Sequence, residues 1–429
     1  MDNLLYYNSS SMNNYHRTKY IDRIKKALKK EKLVLLYWQR QVWKTTLMKM
    51  LIEDDNLKGT KKIFSFEDTQ KRNFVTKQDF LDYLQFEFDI DFYNNDYIFL
   101  DEVQYVENIV SILKSIYDDK SIKAKIIATG SWMWNIPNKA GSSLVWRWEE
   151  LFIYPFSFEE FLWLKWKDIS ILDYQNYNKV RYDIVLKLYE EYLIWWWYPE
   201  VIKANTQEQK QNELKKIVKR FFEKDVIFWF KKDEMIEFEK IYYYIYQNIW
   251  NLLKIDNLSN ITWVGNKKLV KYLNFLKRSL VIFEIKPFFQ DKSKEIFSHW
   301  KIYLSDLGIF SFMWKNYGWK LQDGKVIENY TFLEILKNNP NVYINFYKKK
   351  NGTEIDLIIQ NWKWQIIPVE VKSWKSNAIP KIFYSFEKDF ADKIYKYIKT
   401  TSNIKERKTI KDKELNLVPN FLIWNAILF

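Results

Sequence analysis

The chain has 429 residues, which at about 150 per domain allows roughly three domains with cores of their own. Its formal net charge of +14 suits a polyanion such as nucleic acid without identifying a partner. The absence of Cys excludes disulfide frameworks, thiolate zinc centres and a cysteine nucleophile, and two His leave an imidazole metal site little to draw on.

From the N-terminus, Tyr20 to Lys30 carries Ile21, Ile24 and Leu28 on one face of an amphipathic helix, then leads into Leu33 to Tyr37, an apolar run of buried-strand length. Next come a helix (Thr45 to Glu53), a strand (Lys62 to Phe66), a helix (Lys77 to Phe88), a strand (Tyr97 to Leu100), a helix (Asn108 to Tyr117) and a strand (Ala124 to Thr129). Such alternation predicts a parallel α/β sheet between two helical layers. Beyond Pro155 the strand signal stops, and Phe158 to Ile249 reads as a helical lid or connector. A helix over Leu252 to Ser259, a break at Ile261 to Gly265, a helix over Asn266 to Arg278 and a strand over Leu280 to Ile285 give the order of a winged helix. Its second helix would bury Leu269, Leu273 and Leu276 and offer Lys267, Lys268, Lys271, Lys277 and Arg278 to phosphates or leave them as a protein-docking surface. The last part predicts a helix (Lys325 to Lys337), strands over Val342 to Lys348, Thr353 to Gln360 and Gln365 to Lys372, and a further helix, with Lys405 to Glu414 as solvated surface. No run nears the ~18 apolar residues of a membrane span, and Met1 to Ser11 lacks the basic start and apolar core of a leader, so a soluble cytoplasmic chain without membrane contact is expected.

Glycine usage is anomalous. Eight Gly make up about 2% of the chain against a usual ~7%, while the 21 Trp and the Gly together come to about ordinary glycine usage. Many Trp follow turn-forming residues, as in Ser131-Trp132, Asn361-Trp362 and Ser373-Trp374, where a backbone tends toward positive φ. We read many of these positions as glycine in the native protein, encoded by UGA in a code that assigns that codon to glycine. The alternative is an aromatic-rich chain with Trp in its core.

After the first strand the sequence runs Trp38-Gln39-Arg40-Gln41-Val42-Trp43-Lys44-Thr45-Thr46 and enters a helix. With Gly at 38 and 43 this is G-x-x-x-x-G-K-T, the phosphate-binding loop, in the required strand–loop–helix setting. Successive N–H groups would then curl around the β-phosphate, where a side chain at 43 would occupy the anion's space. Positions 38 and 43 (Trp38 and Trp43 as written), Arg40, Lys44, Thr45 and Thr46 would line ATP, with Lys44 on the β- and γ-phosphates and the Thr45 hydroxyl on Mg²⁺. With indoles at 38 and 43 the loop would bind no nucleotide. The run Tyr97 to Leu100 ends in Asp101-Glu102, where Asp101 would hold Mg²⁺ through water and Glu102 would polarise the attacking water. Ser131, after the strand ending at Thr129, would sense the γ-phosphate or simply cap a helix.

These motifs together resemble a bacterial and archaeal family of AAA-type ATPases. The likeness includes the loop at 38–45, Asp101 to Gln104, Thr129 to Ser131, Leu144-Val145-Trp146-Arg147-Trp148 against L-x-G-R-G, Tyr154 to Phe161, and Trp196-Trp197-Tyr198-Pro199-Glu200-Val201 against G-G-Y-P-E-V. It extends from about Tyr20 to Lys372, and at nearly every position where the family's Gly is missing this chain has Trp. The resemblance implies ATP with Mg²⁺, and makes Arg147 an arginine finger or sensor, the alternative being a helix-terminal salt bridge.

The C-terminal constellation of Glu328 in a helix, Asp356 in Thr353 to Ile359, and Pro368-Val369-Glu370-Val371-Lys372 resembles a PD-(D/E)XK nuclease fold and matches the domain that usually follows this ATPase. Period two places Glu370 and Lys372 on one face, and a hairpin about Gln360 to Trp364 brings Asp356 close to Glu370. Carboxylates inside apolar strands are costly unless neutralised, so Glu328, Asp356 and Glu370 are candidate Mg²⁺ ligands and Lys372 the group that orients the attacking water. Retention of the scaffold without cleavage is the alternative.

The expected architecture is therefore an α/β chain in three parts. A P-loop NTPase core fills 1–160, a helical and winged-helix connector 161–290, and a restriction-endonuclease-like α/β domain 291–429. The expected function is an ATP-hydrolysing AAA-type protein coupled to a nuclease-like, DNA-acting domain. The rivals are a nucleotide-dependent switch for a protein partner, oligomeric or not, and an inactive ATPase if Trp38 and Trp43 are literal.

Overall fold

The structure is a computed structural model that describes residues 17–38, 44–66, 72–130, 148–165, 178–195, 198–248, 252–289, 300–313, 324–349, 351–402 and 405–427. They fall into two compact units. One runs to Pro155 and takes in Arg278–Leu280; the other comprises Phe156–Lys277 and Val281 onward.

In the first unit the apolar run becomes β1 (Leu33–Trp38), and with β2 (Lys61–Ser65), β4 (Tyr97–Asp101), β6 (Lys125–Gly130) and β7 (Glu149–Ile153) it builds a parallel sheet in the order β2-β4-β6-β1-β7. Two short strands, β3 (Arg72–Asn73) and β5 (Val106–Glu107), pair separately. Strand alternation divides each apolar run between two cores. Leu33, Leu35 and Tyr37 pack with Leu100 and Ile126 against Phe80, Leu84, Ile112 and Ile116 of the helices Lys77–Phe88 and Ile109–Asp118. Val34 and Leu36 pack with Phe99 and Ile127 against Ile21, Ile24, Leu28, Leu47 and Leu51 of the helices Thr18–Lys30 and Lys44–Ile52. The fold is thus α/β, with the five-stranded parallel sheet of a P-loop NTPase core. Strand β7 was not anticipated, because its first two residues are the exposed Glu149 and Glu150 and only Ile153 is fully buried.

The second unit opens with helices, among them Phe158–Lys165, Lys179–Trp195, Gln207–Arg220 and Lys232–Gln247. Strands β8 (Leu252–Leu253), β9 (Ile282–Ile285) and β10 (Trp300–Leu304) then form an antiparallel sheet, β8-β10-β9, accompanied by the helices Ile255–Thr262 and Asn266–Arg278. The first of these helices starts later than its sequence pattern suggests, because Leu252 and Leu253 pair with β10 instead. Leu269, Leu273 and Leu276 are buried.

A six-stranded mixed sheet follows, with β11 (Tyr343–Lys348), β12 (Glu354–Gln360), β13 (Ile366–Glu370), β14 (Tyr397–Thr401), β15 (Glu406–Ile410) and β16 (Lys413–Pro419) in the order β11-β12-β13-β14-β16-β15. The helix Lys381–Phe390 packs Phe383 and Phe386 against it. The charge-rich segment expected as solvated surface is the β15–β16 hairpin at the sheet edge, with Ile410, Leu415 and Leu417 buried and most of its charged residues exposed. In β12–β13 Leu357 faces Val369 and Ile359 faces Ile367, a register closed by a turn in which Trp364 has φ of 65°. Trp263 likewise ends the helix Ile255–Thr262 with φ of 60° while 93% exposed. Both indoles sit in the left-handed region that glycine enters without a Cβ penalty.

Candidate functional site

The carboxyl edge of the parallel sheet in the first unit is the side on which open α/β sheets bind ligands. There Trp38 closes β1, and Lys44, Thr45 and Thr46 open the helix Lys44–Ile52. Arg40, Trp43, Ser131, Trp146, Arg147, Trp196 and Trp197 lie outside the described residues.

Strand β6 lies between β1 and β4, so the ends of three strands meet at one edge. Asp101, the last residue of β4, is buried. The Thr129 hydroxyl on β6 donates to its Oδ1. The same Thr129 oxygen accepts from the Glu102 N–H at 3.3 Å. Glu102 has φ of 54°, a left-handed conformation uncommon for a residue with a side chain, and it turns the chain out of β4 into the short turn Val103–Tyr105. The Gln104 amide donates to Glu102 Oε2, which restrains that carboxylate. Thr129 was read from the sequence only as part of a Thr-Gly-Ser motif; its two hydrogen bonds give it a role that chain order does not display.

The second unit brings Asp356, Glu370, Lys372 and Glu328 together. The backbone N–H of Val371 donates to Asp356 Oδ2 at 2.7 Å. Lys372 Nζ lies 2.6 Å from Glu370 Oε1, while Glu370 Oε2 is buried without a hydrogen-bond partner. Burial, then the charges of Glu328 and Glu370, raise the Asp356 carboxyl well above its ordinary range. Burial likewise raises Glu370, although Lys372 opposes it. These are the marks of an under-compensated buried acid pair.

Glu328, whose charge bears on both members of that pair, has donors of its own. Its Oε1 accepts from Lys301 Nζ at 3.0 Å and from the Tyr303 hydroxyl at 2.6 Å. Lys301 also reaches Glu354 Oε1 at 3.0 Å, and Lys348 pairs with the other Glu354 oxygen at 3.1 Å. Burial alone would lower the Lys301 pKa, but Glu328, Asp356 and Glu354 outweigh it and hold the ammonium charged. Among the described residues no group of three or more acidic or imidazole side chains stands ready for a metal. Lys301, Tyr303 and Glu354 escaped the sequence reading; the one available signal was a lysine inside the apolar run Trp300 to Leu304.

The basic helix Asn266–Arg278 spends part of its charge internally. Lys268 pairs with Glu237 at 2.8 Å, Lys271 with Glu234 at 2.5 Å and Lys277 with Glu284 at 2.7 Å. Among the described residues no helix is long and apolar enough to cross a membrane.

Comparison with known proteins bears on the two units separately. Residues 30–162 match an AAA domain family, residues 186–319 a domain of unknown function (DUF8612), and residues 323–418 another (DUF4143). The chain is 25% identical over 348 residues to the uncharacterized protein MJ1544 of Methanocaldococcus jannaschii, covering 77% of this chain and 75% of that one. It is also 25% identical over 387 residues to the uncharacterized protein MJ1637 of the same organism, covering 85% and 79%. Among solved structures, the Walker-type ATPase PABY2304 of Pyrococcus abyssi is similar at 13% identity and a TM-score of 0.47, over 70% of this chain and 95% of that one. The segment 30–162, which carries the five-stranded parallel sheet, is thus similar to an AAA domain.

Proposed function

We propose that this protein binds and hydrolyses ATP with Mg²⁺ at the carboxyl edge of β1, β4 and β6. The observation that carries the reading is the network of buried Asp101 and Thr129 with half-buried Glu102, at the ends of β4 and of β6, the strand beside β1. Its hard oxygen donors suit Mg²⁺, so the residues fit the group. Lys44, Thr45 and Asp101 would hold Mg-ATP, which supplies the phosphoryl group and charge neutralisation. Thr129 fixes the Asp101 carboxyl and the Glu102 backbone together, and Glu102 accepts a proton from water as general base. Arg147 would contribute a cation from this or a neighbouring subunit.

This reading requires glycine at 38 and 43, and we propose that 146, 196, 197, 263 and 364 are glycine in the native protein as well. Support comes from the Trp excess, the motif positions, and the left-handed backbone at Trp263 and Trp364. Peptide mass spectrometry of the native protein across 38–44 tests it, and Trp found at 43 would end it. In the doubly substituted protein Trp38→Gly/Trp43→Gly, Mg-ATP should bind, Lys44→Ala should abolish binding, and Glu102→Gln should bind yet hydrolyse poorly. Unchanged turnover in Glu102→Gln would move the base elsewhere.

A nuclease-like role for the second unit is favoured by Asp356 and Glu370, whose only partly compensated burial and orphaned Glu370 Oε2 suit a divalent cation. Asp356 and Glu370 would hold it, and Lys372 would orient water against a phosphodiester of DNA. Metal-dependent DNA cleavage lost in Lys372→Ala, with ATP hydrolysis retained, tests this role. Absence of cleavage would favour a nucleotide-dependent switch that docks a protein partner, a reading to which the internal pairing of Lys268, Lys271 and Lys277 lends weight.

A further inference from the structure

We propose that Lys301 is a built-in cation of the second unit's acidic site, a positioning residue that keeps Glu328 and Glu354 out of the metal set and limits the site to a single divalent ion on Asp356 and Glu370. The inference rests on the metal-site reading above and departs from the sequence expectation of Glu328 as a ligand.

Four carboxylates converge here, from the helix Gly324–Asn338 (Glu328), β12 (Glu354 and Asp356) and β13 (Glu370). Buried carboxylates persist only when paired. Lys301, itself 3% exposed, stands between two of them with 3.0 Å contacts to each. Tyr303, two residues along β10 and so on the same face of that strand, donates to the same Glu328 oxygen. One strand therefore presents two donors to Glu328 Oε1 and meets that oxygen without a metal. The hydrogen bonds of Lys301 go to Glu328 and Glu354; its charge also favours ionised Asp356, but burial and the neighbouring carboxylates outweigh it there, and Glu370 Oε2, in a residue 8% exposed, has no partner. The unmet demand for positive charge thus lies on one carboxylate pair. A second divalent ion would have to displace a fixed ammonium that cannot leave with solvent.

Mn²⁺ binding to the full chain, followed by calorimetry and by loss of the free-ion electron paramagnetic resonance signal, tests this without relying on activity. The chain as written should take up one Mn²⁺ per molecule, and Asp356→Asn should abolish it. Glu328→Gln should leave the affinity within threefold, because Glu328 is not a ligand. Lys301→Met, which keeps the stem and removes the charge, should tighten binding at least tenfold or raise the stoichiometry to two, whereas Lys301→Arg should behave like the parent. If Glu328→Gln abolishes uptake, or folded Lys301→Met binds as the parent does, the Lys301 proposal falls while the metal site stands. Uptake only in Lys301→Met would overturn the single-ion site, because the parent would then hold no ion. No uptake by any variant would overturn both the proposal and the metal-site reading beneath it. Far-ultraviolet circular dichroism separates misfolding from an altered site, and Glu328→Gln keeps the test decisive if Lys301→Met does not fold.

Discussion

The Thr129 hydroxyl donates to Asp101 across the neighbouring strands β6 and β4 while its oxygen accepts from the Glu102 N–H, so one side chain positions both acids at the proposed hydrolytic centre. Valine at 129 keeps the shape and removes both interactions. In the Trp38→Gly/Trp43→Gly protein, Thr129→Val should therefore lower ATP turnover at least tenfold, since misplacing a catalytic group by a fraction of an ångström is costly. Affinity for ATP should change by less than about threefold, and Thr129→Ser should restore most of the turnover. Phosphate release and fluorescent-nucleotide binding read the two effects separately.

Trp263 and Trp364 occupy left-handed backbone, which costs a residue with a Cβ roughly 1 kcal/mol relative to glycine. Trp263→Gly and Trp364→Gly should each raise the urea midpoint, by up to about 1 kcal/mol of stability after the extra unfolded-state entropy of glycine. Trp362, equally outward at 73% exposed but without positive φ, is the control and should gain nothing on conversion to Gly. Equal responses at 263, 362 and 364 would trace any gain to the loss of exposed indoles rather than to backbone strain.

The parallel sheet was legible in the sequence because its strands are continuous apolar runs set between amphipathic helices, so type and order could be read without knowing any partner. The Asp356–Glu370 juxtaposition was legible for a related reason: a short hairpin and strict alternation determine register locally. Lys301 was not. Its partners Glu328 and Glu354 are 27 and 53 residues away, and nothing local distinguishes a strand lysine bound for the interior from one facing water. Strands β15 and β16 were missed because an edge hairpin with many exposed charges carries the charge of a loop, and the buried inner strand β14 because Lys399, Thr400 and Thr401 leave it no apolar run.

Glu334 and Lys337 form an ion pair sealed in the interior of the second unit, at 3.2 Å. Glu334 also accepts from the Phe158 N–H at 3.1 Å and from the Tyr192 hydroxyl at 2.6 Å, and Lys337 donates to the Phe156 carbonyl at 3.0 Å. Removing one partner leaves a buried charge and several unsatisfied groups. Lys337→Met should thus cost about 3–5 kcal/mol in urea unfolding. Pairing it with Glu334→Gln should cost less than the single change, because no uncompensated charge remains. A single-mutant cost below about 1 kcal/mol would mean that water reaches the pair.

Asp306 is fully buried at the start of the helix Leu307–Met313, where the Ile309 N–H donates to it at 2.7 Å. Burial pushes its carboxyl up to about 6, and the hydrogen bonds from Ile309, Tyr198 and Gly308, with the charge of Lys337, oppose burial only in part. The folded state therefore binds a proton more tightly here than the unfolded chain does. Stability from this group is greatest below about pH 4, falls as pH rises toward 6, and is level above that. The shift of about two units corresponds to roughly 3 kcal/mol across the window. Other carboxylates have their own slopes, so the measurement is a difference: urea stability from pH 4 to pH 7 for the parent and for Asp306→Asn, which keeps an acceptor for Ile309 but cannot titrate. The parent should lose stability relative to Asp306→Asn as pH rises. Parallel curves would show that Asp306 stays ionised throughout and that its hydrogen bonds fully offset burial.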